Sequence, residues 1–381
     1  MFVDKNHKLF ILTVFVSAHV VNDFYVTVLP AFLPALSDEF NLDYGELGIL
    51  SLTFTLLSGV LQPLLGHRAD RHGERRLILS VGFLVGAVGF VAMAAAPSFW
   101  FLIAVSLLCG LGGASYHPQA TAFIVSRYPD DRGRMLGIHG WGGSVGHFLA
   151  PAAVTISVAA FNWRFSMLVI ALPLALMALF LRLSLEESEP SSSATLTGVM
   201  TKELIRVAVA FGLLSVVMRS FLTFAVKMLV DEGWTGQGAG LALSSVLLVG
   251  TLAQPIGGRI YDRIGGRTVF IYAIVGTILS VACFAVTSGA MSLAAIALIS
   301  LFGFSLFPVS LAYASQLAGP KQTGAAVGAV FGVSGLMSAL AQPVVGTLAE
   351  QMGSIRGALS WLIVVALAAF PIAFTLPKHG E

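Results

Sequence analysis

Residues 62–75, Gln62-Pro63-Leu-Leu-Gly66-His-Arg-Ala-Asp70-Arg71-His-Gly73-Glu-Arg75, return 192 positions later as Gln254-Pro255-Ile-Gly-Gly258-Arg-Ile-Tyr-Asp262-Arg263-Ile-Gly265-Gly-Arg267. Seven of the fourteen positions are identical, where composition alone gives about one. Each copy ends a long apolar segment in a short charged turn. The chain therefore holds the same membrane hairpin twice, and two copies of a half with charged loops at matching places describe a carrier whose solute site lies between its halves.

The apolar segments set the fold class. The chain is 57% hydrophobic and 10% charged over 381 residues, and twelve stretches reach the length of about 20 residues that a bilayer core of roughly 30 Å demands of a helix. They run approximately over 9–36, 43–66, 76–96, 98–126, 133–159, 163–183, 204–230, 237–261, 267–287, 289–316, 323–349 and 356–376. Uninterrupted runs such as Val85 to Ala96 exclude a β-barrel, whose strands alternate between lipid and lumen. The expected fold is all-α and multi-pass: twelve transmembrane helices in two pseudo-symmetric six-helix bundles. The first segment is too long for a signal-peptide core and is counted as helix 1.

With both termini on one side, that side carries 17 Lys and Arg residues and the other only Arg164, Lys227 and Arg356. The asymmetry puts both termini in the cytoplasm and predicts an inner-membrane protein. The net charge of +2 follows from this rule and argues for no nucleic-acid partner. Cys109 and Cys283 lie inside different segments, so neither a disulfide framework nor a metal site follows from them. No P-loop is present to couple ATP hydrolysis, and no cofactor is expected.

The duplication is nested. Pro63 and Pro151 are 88 residues apart, as are Pro255 and Pro343, and as are Pro30 and Pro118. Each half is thus two units of three helices, with prolines in register that permit bends. Residues 184–203, with Glu-Glu-Ser-Glu-Pro and a Ser run, read as an exposed linker between an N-terminal bundle, 1–183, and a C-terminal bundle, 204–381.

Ionisable groups at membrane depth cost roughly 2.5–3.5 kcal/mol even on insertion scales, so each is a functional candidate. Asp23 lies mid-helix in the first segment and is the candidate proton carrier. His19, four residues earlier, shares its face and can relay a proton, while Asn22 can orient either group. Arg219, mid-way through the seventh segment, cannot neutralise itself to escape desolvation. It is expected to bind an anionic group of the substrate, in competition with Asp23. Its counterpart in the first half is Thr27, and that of Asp23 is Ser215. His117, just before Pro118, is a candidate substrate contact, as are Tyr25 and Tyr116; His139 and His147 lie on the glycine-rich fifth segment. No ligand spacing joins these histidines into a metal site. Lys227 is expected to snorkel to the interface.

Gly66-x-x-x-Asp70-Arg71-x-Gly73-x-Arg75-Arg76 between the second and third segments, repeated around Gly258, Asp262 and Arg263, resembles the signature loop of the major facilitator superfamily. Ser17-Ala-His19-Val-Val-Asn22-Asp23, Leu52-Thr-Phe54 through Gln62-Pro63, and Gly113-Ala-Ser-Tyr116-His117-Pro118 look like its fosmidomycin-resistance type of drug efflux carrier. The resemblance implies that Gly66, Asp70, Arg71, Gly73 and Arg75, with Asp262 and Arg263, form a cytoplasmic gate latched by charge. It also implies a proton-coupled exporter of a small anionic or drug-like compound, working as a monomer in the lipid bilayer with protons and substrate as its partners. Proton symport importing a metabolite anion or sugar is the alternative; an enzyme is not expected.

Overall fold

The computed structural model describes residues 5–128, 132–187, 201–318 and 323–377. Its first eight helices are α1 (Lys5–Thr27), α2 (Leu29–Phe40), α3 (Tyr44–His72), α4 (Arg75–Ala94), α5 (Phe99–Gly113), α6 (Tyr116–Arg127), α7 (Arg132–Ala160) and α8 (Trp163–Ser184). Seven follow: α9 (Lys202–Asp231), α10 (Gly236–Ile264), α11 (Gly266–Val286), α12 (Gly289–Ala318), α13 (Thr323–Met352), α14 (Ile355–Trp361) and α15 (Ile363–Phe374). Twelve helical segments among the described residues are long and apolar enough to cross a bilayer, and each overlaps one of the twelve apolar stretches.

The six prolines in register fall into two classes. Pro63, Pro151, Pro255 and Pro343 lie inside continuous helices, α3, α7, α10 and α13. Near Pro30 and Pro118 the first and fourth spans instead break, at Val28 and at Ala114–Ser115. A proline ring clashes with the carbonyl four residues back and offers it no N–H; here those carbonyls belong to Val26 and Ala114. The break leaves Pro30 and Pro118 in the first turns of α2 and α6, where a missing donor would be unpaired in any case.

The chain forms two compact units, Met1–Leu29 with Thr53–Thr195 and Pro30–Leu52 with Leu196–Glu381. The sequence places the division in the linker, of which 188–200 lie outside the described residues; in the structure 30–52 also packs with the second unit. Local chemistry explains that membership. The Tyr44 amide donates to Glu350 Oε1 at 2.8 Å and its hydroxyl to Asp231 Oδ2 at 2.6 Å, while Lys227 Nζ lies 2.5 Å from Asp231 Oδ1 and 5.3 Å from the Tyr44 ring centroid. Lys227, expected to snorkel, is thus held by a carboxylate one turn along its own helix.

In the first unit α1 lies along α7 and α4 along α8; in the second, α9 lies along α13 and α10 along α12. The α1–α7 and α9–α13 pairings are the same contact, 192 residues apart. On α7 it needs glycine: a Cβ on Gly142 would stand 2.7 Å from the Val16 carbonyl oxygen, and one on Gly146 would stand 2.7 Å from the Phe24 nitrogen. Because both obstacles are backbone, only the absent side chain lets the helices approach this closely.

The repeat survives in backbone and capping detail. Gly73 and Gly265, 192 apart, have φ of 73° and 77°, values that cost other residues roughly 1–3 kcal/mol. Arg164 donates to the carbonyls of Ala94 and Ala96 at 3.0 and 2.9 Å. Its counterpart Arg356 donates to those of Phe284 and Thr287 at 3.3 and 2.8 Å, and pairs with Glu232 at 2.7 Å. Each arginine closes the C-terminal end of the third span in its half, satisfying carbonyls that no further helical turn can reach. The second unit has an apolar cluster in which Val207, Phe211, Phe270, Ile274, Leu306 and Val330 are buried together.

Candidate functional site

Asp23 sits one turn before the α1 break, and α1, α6 and α7 together bring three imidazoles to its carboxylate. His19 Nε2 lies 3.1 Å from Oδ2, His117 Nε2 3.6 Å from Oδ1, and His147 Nε2 3.8 Å from Oδ2. Asn22 Nδ2 donates to Oδ1 at 2.8 Å. The carboxylate and His19 are buried, with 8% and 10% of their side chains exposed, whereas His147 is 25% and His117 39% exposed. His117 is the most exposed member of the cluster.

The hydrogen bonds fix which nitrogen can change. His19 Nδ1 lies 2.8 Å from the carbonyl oxygen of His139; a carbonyl only accepts, so Nδ1 carries hydrogen and donates. The Nε2 of the same ring then faces Oδ2 of Asp23. A nitrogen lone pair and a carboxylate at 3.1 Å repel unless a cation lies between them, and the simplest is one shared proton. The His139 ring stacks beside His19 with centroids 4.1 Å apart, and its buried Nδ1 has no hydrogen-bond partner among the described residues. His147 Nδ1 is 3.0 Å from the Thr27 hydroxyl oxygen and 3.3 Å from the Asp23 carbonyl oxygen.

The α7 glycines make this possible. A Cβ on Gly143 would lie 2.5 Å from His19 Nε2 and would also collide with Asp23 Oδ2, so α7 offers the cluster bare backbone at its tightest point. Contacts between positions 19 and 139, 23 and 143, and 27 and 147 share an offset of 120 residues. In the second unit the equivalent place is neutral. Ser215, counterpart of Asp23, receives a hydrogen bond at 2.9 Å from Ser334, counterpart of Gly142.

The two tyrosines named from the sequence part company. Tyr116 is fully buried, its ring 5.3 Å from His19 and 5.5 Å from His117, and its hydroxyl donates to the Phe15 carbonyl at 2.6 Å. It braces the cluster through its ring. Tyr25 faces elsewhere, with its hydroxyl donating to the Cys109 carbonyl and its ring packed on Phe54 and Phe90. Arg219, on α9 of the second unit, is exposed although its neighbours Met218 and Ser220 are buried.

In the signature loop the Asp70 side chain lies outside the described residues. Arg71, Asp262 and Arg263 are exposed, Gly66 packs against the Pro118 ring at a spacing that leaves a Cβ 3.2 Å from it, and Arg75 Nη1 donates to Gln119 Oε1 at 3.2 Å. Sequence reading did not single out Glu187. Its carboxylate accepts the amides of Arg76 and Leu77 at 2.8 and 3.1 Å and pairs with the Arg76 side chain, an anion seated on the α4 N-terminus.

Comparison with known proteins agrees with this architecture. A family model described as Major Facilitator Superfamily matches residues 15–218 and 208–381. The uncharacterized MFS-type transporter YfnC of Bacillus subtilis (strain 168) is 28% identical, over 97% of this chain and 93% of its own. The fosmidomycin resistance protein of Escherichia coli (strain K12) is 26% identical, over 87% of this chain and 84% of its own. A bacterial homolog to the human lysosomal transporter Spinster, in an inward-facing and occupied conformation, matches with a TM-score of 0.81 at 15% identity, covering 98% of this chain and 97% of that one; this last likeness concerns the fold alone. With the family model spanning both halves and twelve membrane-spanning helices beneath it, this multi-pass membrane chain belongs to the major facilitator superfamily, whose members are transporters and not enzymes.

Proposed function

We propose that the chain exports a small anionic or drug-like compound in exchange for protons, by alternating access, as a monomer in the inner membrane with both termini cytoplasmic. The observation that carries this reading is the His19–Asp23 contact, where an Nε2 with its Nδ1 already committed to a carbonyl faces a buried carboxylate. That gap holds a proton which His117, the most exposed of the group, exchanges with solvent. Asp23 carries the proton, His19 relays it, and Asn22 holds the carboxylate in place. Arg219 supplies a permanent positive charge for an anionic group of the cargo. A cargo of the drug class is supported by the relative named a fosmidomycin resistance protein. The loop from Gly66 to Arg75 and its copy at Asp262 and Arg263 act as the cytoplasmic gate.

Proteoliposomes containing a pH-sensitive dye test the proposal. Fosmidomycin and unrelated drugs are offered against an imposed proton gradient, and lumenal pH is followed. Exchange moves protons opposite to drug, and Asp23→Asn abolishes that movement. Full gradient-driven transport by Asp23→Asn removes the proton carrier, while protons moving with the drug make the protein a symporter.

A further inference from the structure

We propose that His19, His117 and Asp23 form a binding site for a divalent transition-metal ion of the zinc class. One donor atom from each lies within 4.8 Å of the others, with His19 Nε2 at 3.1 Å and His117 Nε2 at 3.6 Å from the carboxylate oxygens. A tetrahedral ion with bonds of about 2.0–2.1 Å holds its ligand atoms roughly 3.4 Å apart. The two nitrogen–oxygen gaps, each to a different oxygen of Asp23, lie to either side of that spacing, and the set as a whole spans up to 4.8 Å, so binding draws the side chains inward by about 1 Å.

The surroundings are those of a metal site. A ligating histidine typically donates its second ring nitrogen to a carbonyl or carboxylate, which fixes the tautomer and aims the lone pair at the ion. His19 has this arrangement, Nδ1 to the His139 carbonyl at 2.8 Å with Nε2 turned to the centre. A ligating carboxylate is commonly held by a further hydrogen bond, and Asn22 gives Asp23 that bond at 2.8 Å. His147 Nε2, 3.8 Å from Oδ2, is the fourth donor in reach. Two or three imidazoles with one carboxylate select zinc, cobalt, nickel or copper(II), whereas magnesium and calcium prefer oxygen alone. His117, 39% exposed, gives the ion a way in. The ion takes the place of the proton shared by His19 Nε2 and Asp23, so the two are alternative occupants of one gap, and the inference needs neither the direction nor the coupling proposed above.

The test uses the full chain, free of any polyhistidine tag, in lipid nanodiscs stripped with a chelator and titrated with cobalt(II). Four-coordinate cobalt absorbs far more strongly in the visible than six-coordinate cobalt, and zinc should bleach that absorption at one equivalent per chain. Competition with a chromogenic chelator gives the affinity, expected to fall at least tenfold in His117→Ala and Asp23→Asn and to be unchanged in His67→Ala. His117→Cys keeps a donor at that position, and its cobalt complex should show a thiolate charge-transfer band that the parent lacks. Absence of the four-coordinate spectrum, binding undiminished in Asp23→Asn, or cobalt bound by His117→Cys without the new band each overturns the proposal.

Discussion

Two glycines three residues apart on α7 separate function from stability. A Cβ at Gly143 would lie 2.5 Å from His19 Nε2, and ordinary van der Waals contact begins at 3.4 Å, so in Gly143→Ala the imidazole must retreat by about 0.9 Å. The obstacles there are side-chain ends, which can move. Asp23 Oδ2 must give way to the same Cβ, so the 3.1 Å His19–Asp23 contact cannot keep its present geometry. Hydrogen bonds to charged groups contribute about 1.5–3 kcal/mol, so proton affinity at the pair should change roughly 10- to 150-fold, at about 1.4 kcal/mol per factor of ten. Gly146→Ala differs because its Cβ would meet the backbone of Val20 and Phe24. It forces α1 and α7 apart at a cost of about 1–3 kcal/mol. Infrared difference spectra of the purified protein report the first effect through the carboxyl stretch of Asp23, assigned by its loss in Asp23→Asn. Thermal unfolding reports the second. Gly143→Ala should move the carboxyl titration, and Gly146→Ala should lower the melting temperature through the backbone clash. An unmoved titration in Gly143→Ala would show that the His19–Asp23 contact does not hold the proton.

Three further outcomes follow from the geometry. Arg219→Gln should weaken an anionic substrate at least tenfold, about 1.5 kcal/mol for a lost charge-assisted contact; equal affinity by equilibrium binding would remove the arginine from the substrate site. Arg356→Gln strips donors from the Phe284 and Thr287 carbonyls and from Glu232, so thermal unfolding should record a loss of about 1–3 kcal/mol, matched by Arg164→Gln in the other half. Gly73→Ala and Gly265→Ala should each cost about 1–3 kcal/mol through their positive φ, and a melting temperature unchanged in both would mean the turns relax freely.

The spans were legible because about 20 apolar residues have one use in a chain like this, and the paired turns because Gly73 and Gly265 stand in the same charged frame. The helix breaks were not. Pro30 and Pro63 look alike in sequence, yet one opens a new helix and the other lies inside α3, since packing decides whether the freed carbonyl is tolerated. Asp23, His19 and Asn22 could be named from one helical face. Their convergence with His139 and His147 could not, since it depends on α1 and α7 touching at an offset of 120 residues, nor could that with His117, which α6 brings in. For the same reason a reading by spacing found no shared centre among the histidines, though three donor atoms do gather. The Lys227–Asp231 pair was open to view as an i, i+4 match. That residues 30–52 cluster with the second unit carried no local signal at all.

The serine pair has a consequence for how hard this carrier can work. Hydroxyls do not titrate across the physiological range, so at Ser215 and Ser334 the second copy of the machine is blind to acidity. On the proton exchange proposed above, with Asp23 as carrier and its histidines returning their protons within each cycle, one proton moves per turnover. Each unit of pH difference then supplies about 1.4 kcal/mol and each 100 mV at most about 2.3 kcal/mol per net charge moved. The steepest cargo gradient it can hold is roughly tenfold per pH unit when exchange is electroneutral.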